Sequence, residues 1–95
     1  MQIEHVEKDG RGAFLIHNER GERVAEMTYA ASGGSEFNID HTEVDPSLRG
    51  QGVAEKLLDA AVRHARDNGL KIRATCRFAL KKLQHGREFA DVFEG

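Results

Sequence analysis

One cysteine, one proline and no tryptophan stand in this chain of 95 residues, and each scarcity excludes something. With Cys76 alone no internal disulfide can form, so nothing points to an oxidising compartment. No apolar run nears the roughly 20 residues of a membrane span, and the start Met1-Gln2-Ile3-Glu4-His5 lacks the basic and apolar regions of a signal peptide. A cytoplasmic protein with no membrane partner is the expectation. An excess of one charge is missing too, since 14 Lys and Arg against 16 Asp and Glu leave −2. No global field therefore recruits nucleic acid, and no paired aromatics on a strand offer it a stacking surface. His5, His17, His64 and His85 show no metal-ligand spacing with Cys76 or with one another, so no zinc site is expected.

What is present suits a globular chain, with 39% apolar and 32% charged residues. The length supports one domain over residues 1–95 with a modest core, and a monomer is expected. Strand-like stretches cover residues 3–7, 13–17 and 23–30, separated by the polar turns Asp9-Gly10-Arg11-Gly12 and Asn18-Glu19-Arg20-Gly21. In the third, Val24, Glu26 and Thr28 share one face and Ala25, Met27 and Tyr29 the other. A fourth strand, Glu36–Val44, changes parity: Phe37 and Ile39 are odd, Val44 is even. Either a bulge inserts one residue and flips the faces, or the strand becomes polar where it leaves the core. Pro46 ends it.

The clearest element follows. Val53, Ala54, Leu57, Leu58, Ala61, Val62 and Ala65 form a continuous helical stripe, closed by Asn68-Gly69. Residues 70–74 read as a short strand, Thr75 as the N-cap of a second helix carrying Cys76, Ala79, Leu80 and Leu83, and residues 87–93 as one or two further helical turns. The order β-β-β-β-α-β-α, with tight turns early and one parallel crossover late, predicts an α+β fold with a mixed, mostly antiparallel sheet.

Between the fourth strand and the first helix lies Leu48-Arg49-Gly50-Gln51-Gly52-Val53-Ala54. The first turn of a helix leaves backbone N–H groups unpaired at the positive end of the helix dipole, and a phosphate satisfies both deficits. Gly50 and Gly52 carry no Cβ to hold a pyrophosphate away, and Arg49 adds a fixed charge. The segment is not a nucleotide P-loop, lacking Gly-Lys-Ser/Thr, nor a dinucleotide fingerprint, lacking the third glycine. Two glycines shaping a turn at a helix start is the plainer alternative.

In context, the stretch from Val44 through Ala54 and on to Lys56-Leu57-Leu58 resembles motif A of the Gcn5-related N-acetyltransferases, Gln/Arg-x-x-Gly-x-Gly/Ala, met by Arg49, Gly52 and Ala54. His41-Thr42-Glu43-Val44, the single Cys76 and His85-x-x-Glu88-Phe89-x-Asp91-Val92 resemble a short, cysteine-containing subgroup of about one hundred residues. The resemblance spans residues 14–92 and is most specific over 41–58. It implies a bulged fourth strand and acetyl-coenzyme A as co-substrate. Glu43 and Val44 would flank the pantetheine, and Arg49, Gly50, Gln51, Gly52, Val53 and Ala54 would hold the pyrophosphate. Two departures stand out. Full-length members place two helices between their first strands as part of the acceptor wall, whereas here residues 9–12 are only a turn. Many members also protonate the leaving thiolate with a tyrosine, and residues 76–93 contain none.

Cys76 is the replacement candidate, because a helix start and the neighbouring Arg73 and Arg77 favour a thiolate. It would act as nucleophile toward the thioester, as acid toward coenzyme A or in a mixed disulfide; the alternative is an inert core thiol. His41 and Glu43 are candidate bases, His41 preferred because imidazole titrates near neutrality. An acyltransferase with an unknown amine or thiol acceptor is the leading expectation. A non-catalytic acyl-coenzyme A binding or sensing module is the alternative, and a basic interaction surface spanning Lys71 to Arg87 ranks third.

Overall fold

Alternating apolar residues build most of the sheet in the computed structural model, which describes residues 2–95. The strands are β1 (Glu4–Lys8), β2 (Arg11–His17), β3 (Arg23–Ala31), β4 (Glu36–Val44) and β5 (Lys71–Ala74). They lie side by side in chain order, with every pair antiparallel except β4 and β5, which run parallel. That parallel pair requires a crossover, supplied by α1 (Val53–Asn68). The expected α+β class and mixed sheet are therefore observed. Asp9-Gly10 alone joins β1 to β2, so the two early helices are absent.

The stripe of α1 buries Val53, Leu57, Leu58, Ala61, Val62 and Ala65 on one face of the sheet, against Phe14, Ile16, Met27, Tyr29, Phe37 and Ile39. A second helix, α2 (Arg77–His85), packs beside α1 through Ala79 and Leu83. The opposite face carries Glu26, Thr28, His41 and Glu43 and has no helix packed on it among the described residues.

Tyr29 crosses beneath β2 to reach β1. A Cβ at position 12 would lie 2.2 Å from its ring, so Gly12 is the residue that lets the ring pass. The Tyr29 hydroxyl donates to Glu7 at 2.6 Å. Burial, and then that hydrogen bond, push its pKa well above the ordinary phenol value.

Two sequence expectations shift. Cys76, not Thr75, is the N-cap of α2, because the Thr75 and Cys76 amides both donate to Ile39 O, at 3.0 and 3.1 Å. The chain end also does more than make a helical turn. After a 3-10 turn at Arg87–Phe89, Val92 and Glu94 bond either side of Ile72, so the tail extends the sheet beyond β5.

Candidate functional site

Thr28 pairs with His41 but Tyr29 pairs with Ile39, which leaves Asp40 as an extra residue in β4. This bulge is the source of the parity change. Asp40 turns to the open face, where it accepts from Thr28 Oγ1 at 2.5 Å and pairs with Arg11 at 3.1 Å. Beyond it, Thr42 and Val44 point toward the helices while His41 and Glu43 point to the open face.

The same bulge opens a cleft. β4 and β5 pair only from Glu36 with Lys71 to Ile39 with Ala74. After the two amides that converge on Ile39 O, the chain turns into α2 and leaves the rest of β4 without a partner on that side among the described residues. Asp45 N–H donates to Val24 O, so the alternation of an antiparallel ladder commits the main chain of Glu43 and His41 to β3. The N–H and C=O groups of Thr42 and Val44 are left facing the cleft. At its inner end, Thr42 Oγ1 lies 3.3 Å from Cys76 Sγ.

The glycine-rich loop stands at the cleft's outer end. Asp45 starts it, accepting from both Ser47 N and Ser47 Oγ, at 2.9 and 2.7 Å. Those bonds hold the Asp45 carboxyl below its ordinary pKa. Gly50 and Gly52 have φ of 81° and 69°, a region costly to residues with a Cβ. The helix ladder begins with Lys56 N–H donating to Gly52 O. Among the described residues no side chain caps the Val53, Ala54 and Glu55 amides before it. Val53, only 2% exposed, anchors the loop. Arg49 is exposed and forms no ion pair among the described residues, whereas Gln51 turns back toward Ser47 O at 3.5 Å. Space in front of the glycines is open, with only Glu55 Oε1, at 4.0 Å, near a Cβ at Gly52.

Residues 13–92 match the family described as GCN5-related N-acetyl-transferase. The chain belongs to this family. Within the family acetyl-coenzyme A is the general co-substrate, and three unpaired amides behind two left-handed glycines are a donor set that fits its pyrophosphate. Among relatives, protein NATD1 of Gallus gallus is 31% identical over 84 residues, spanning 88% of this chain and 74% of that one. A GCN5-like protein from Staphylococcus aureus, solved in solution by NMR, is 42% identical, with a TM-score of 0.75 over 97% of this chain and 88% of its own. The ribosomal-protein-alanine N-acetyltransferase of Brucella melitensis shares the fold alone, at 18% identity and a TM-score of 0.66 over 82% of this chain and 64% of its own.

The structure separates residues that the sequence grouped together. Cys76 and Thr42 meet on the helix side of β4. His41 lies on the open side, 3.3 Å from Glu26 and 3.4 Å from Glu43. Thr42 was not singled out from sequence; the parity change at Asp40 was the signal that turns it toward Cys76. The basic run divides as well, because Arg73 pairs with Glu36, Lys82 pairs with Glu55, and Lys71 donates to Asp91 O. A groove of about 710 Å³ between α1 and α2 runs past Glu55, Leu58, Phe78, Lys82 and Phe89.

Proposed function

We propose that residues 1–95 form one acetyl-coenzyme A dependent acyltransferase domain in which Cys76 takes up the acetyl group. The observation that carries this reading is the unpaired edge of β4, which runs from the amide-lined loop to the Thr42–Cys76 contact. An extended pantetheine arm matches such an edge as an added strand would, through the free main-chain groups of Thr42 and Val44. The amides of Val53, Ala54 and Glu55 receive the pyrophosphate, and Arg49 supplies a free charge beside them.

The chemistry balances as two exchanges. Cys76 Sγ gives up its thiol proton as it attacks the acetyl carbonyl, forming one C–S bond as the C–S bond to coenzyme A breaks, and that proton passes to the departing sulfur, so coenzyme A leaves as its thiol. An acceptor amine or thiol then attacks the acetyl-cysteine, losing its own proton and returning Cys76 to the thiol. Thr42 Oγ1 is placed to donate to Sγ and stabilise its anion. His41 lies across the strand from Cys76, so its role is toward the acceptor. Glu26 and Glu43 orient the imidazole to remove a proton from a group arriving on the open sheet face. Intact mass after incubation with acetyl-coenzyme A tests this. Wild type gains one acetyl group and Cys76→Ala gains none, while an unmodified wild type refutes the covalent step.

The bare sheet face favours a second reading, a module that binds acyl-coenzyme A without transferring the group, because nothing among the described residues walls an acceptor. It predicts a rise in Tm with acetyl-coenzyme A and no release of free coenzyme A thiol in the presence of any amine.

A further inference from the structure

Far from the β4–β5 cleft, at the other edge of the sheet, the fold assembles a donor set that sequence spacing hides. His5 and Glu7 are two apart on β1 and so share the face turned toward α1. His64, in the last turns of α1, lies directly over them. One ring nitrogen from each histidine and one oxygen of Glu7 all fall within 4.8 Å of one another.

The groups are held, not scattered. The His5 ring stacks on Phe14 with centroids 4.4 Å apart and planes 13° from parallel, and His64 meets the same ring edge-on at 4.4 Å. Asn68 Nδ2 sits 3.3 Å from His64 Nδ1, which leaves Nε2 as the free nitrogen. Behind them stands the Tyr29 hydroxyl, 2.5 Å from His5 Nε2 and 2.6 Å from Glu7 Oε1. Tyr29 is 1% exposed and reaches this point only because Gly12 lets its ring pass. Ligand histidines and carboxylates are commonly oriented by such an outer hydrogen-bonding partner.

We propose that His5, Glu7 and His64 bind a divalent transition-metal ion, zinc being the best match, and that the ion staples strand β1 to helix α1. Two imidazoles and one carboxylate are a donor set for zinc, with water completing the shell. Zinc bonds of about 2.0–2.2 Å place tetrahedral donors roughly 3.3–3.6 Å apart, so closure from separations of up to 4.8 Å needs movement of at most about 1.5 Å, shared between the groups. Glu7 is exposed and His64 half-buried, so both are free to make it. The adjoining groove of about 520 Å³ is lined by Asp59 and Asp67 as well as Lys56 and Arg63, so a cation meets no one-sided repulsive field. The staple has a target, because every residue of β1 is exposed and, among the described residues, β2 is its only strand partner.

The test is a titration of the chelator-stripped full chain with zinc alone, followed by calorimetry and thermal melting, in a Cys76→Ala background that removes the competing thiol. One ion per chain and a raised Tm are expected. His64→Ala, at a helix position that tolerates alanine, should weaken zinc at least tenfold and melt at the same temperature with and without it. Glu7→Gln should weaken zinc in the same sense while keeping the shape of the side chain. His41→Ala, in the separate Glu26, His41 and Glu43 cluster, should leave zinc affinity unchanged. No binding, affinity unchanged in His64→Ala, or affinity lost in His41→Ala would overturn the assignment.

Discussion

Placing a single methyl group at position 52 separates the two things the glycine-rich loop does. Gly52 caps α1 with φ 69° and ψ 25°, in the left-handed region. A residue with a Cβ pays roughly 1–2 kcal/mol there, and nothing within the protein adds to that, since the nearest atom to the new Cβ is Glu55 Oε1 at 4.0 Å. Each kcal/mol moves Tm by about 4–8 °C for a domain of this size. Gly52→Ala should therefore fold and melt several degrees early without ligand. Its cost to ligand binding is separate, because the methyl group stands before the Val53, Ala54 and Glu55 amides. Losing one charge-assisted hydrogen bond to a phosphate is worth about 1.5–3 kcal/mol, so affinity for acetyl-coenzyme A should fall roughly 10- to 100-fold. Calorimetric titration of the folded variant with acetyl-coenzyme A reads the second effect, and thermal melting without ligand reads the first. A variant that melts early yet binds with unchanged affinity would show that the pyrophosphate does not sit on these amides.

Thr42→Val keeps the shape of the side chain but removes the contact to Cys76 Sγ, so acetyl uptake followed by mass should slow roughly 10-fold or more with coenzyme binding intact. Gly12→Ala drives a Cβ into the Tyr29 ring and should cost about 1–3 kcal/mol, read by denaturant unfolding; a neutral result would mean the ring has another path. The Asp91 carboxyl is held below its ordinary pKa, first by its hydrogen bonds from Arg66, which also donates to Glu88 O and ties the chain end to α1. A depressed carboxylate stabilises the fold above its unfolded pKa and loses that contribution as pH falls through the folded value. Asp91→Asn should accordingly flatten the loss of stability below about pH 4 while changing little of its slope near neutrality.

Local signals carried much of this fold. The stripe of α1 and its Asn68-Gly69 end need only neighbours within a few turns, and β4 could be bounded from sequence because alternation and Pro46 are both local. What sequence left open depended on partners far along the chain. The N-cap moved from Thr75 to Cys76 because Ile39 O captures both amides. The tail beside β5 rests on two hydrogen bonds to Ile72, too short a pairing to leave a periodic trace. At the candidate site, the loop from Arg49 to Ala54 was visible as a string. The separation of His41 from Cys76 was not, since it turns on where one unpaired residue falls in β4. His5 and His64 meet only once β1 and α1 are packed.

In the language of crystals, Asp40 is a dislocation: one extra unit inserted in a single row, with the lattice parting beyond it. Such a defect answers to a count of units and not to their identity. Exchanging Thr42, Glu43 or Val44 for other residues alters the lining of the gap between β4 and α2 and leaves the gap in place. Removing one residue between Ile39 and His41 would restore the row, turn Thr42 and Val44 to the open face and His41 and Glu43 toward the helices. The site's existence is thus set by chain length and its selectivity by side chains, two properties that mutation reaches by different routes.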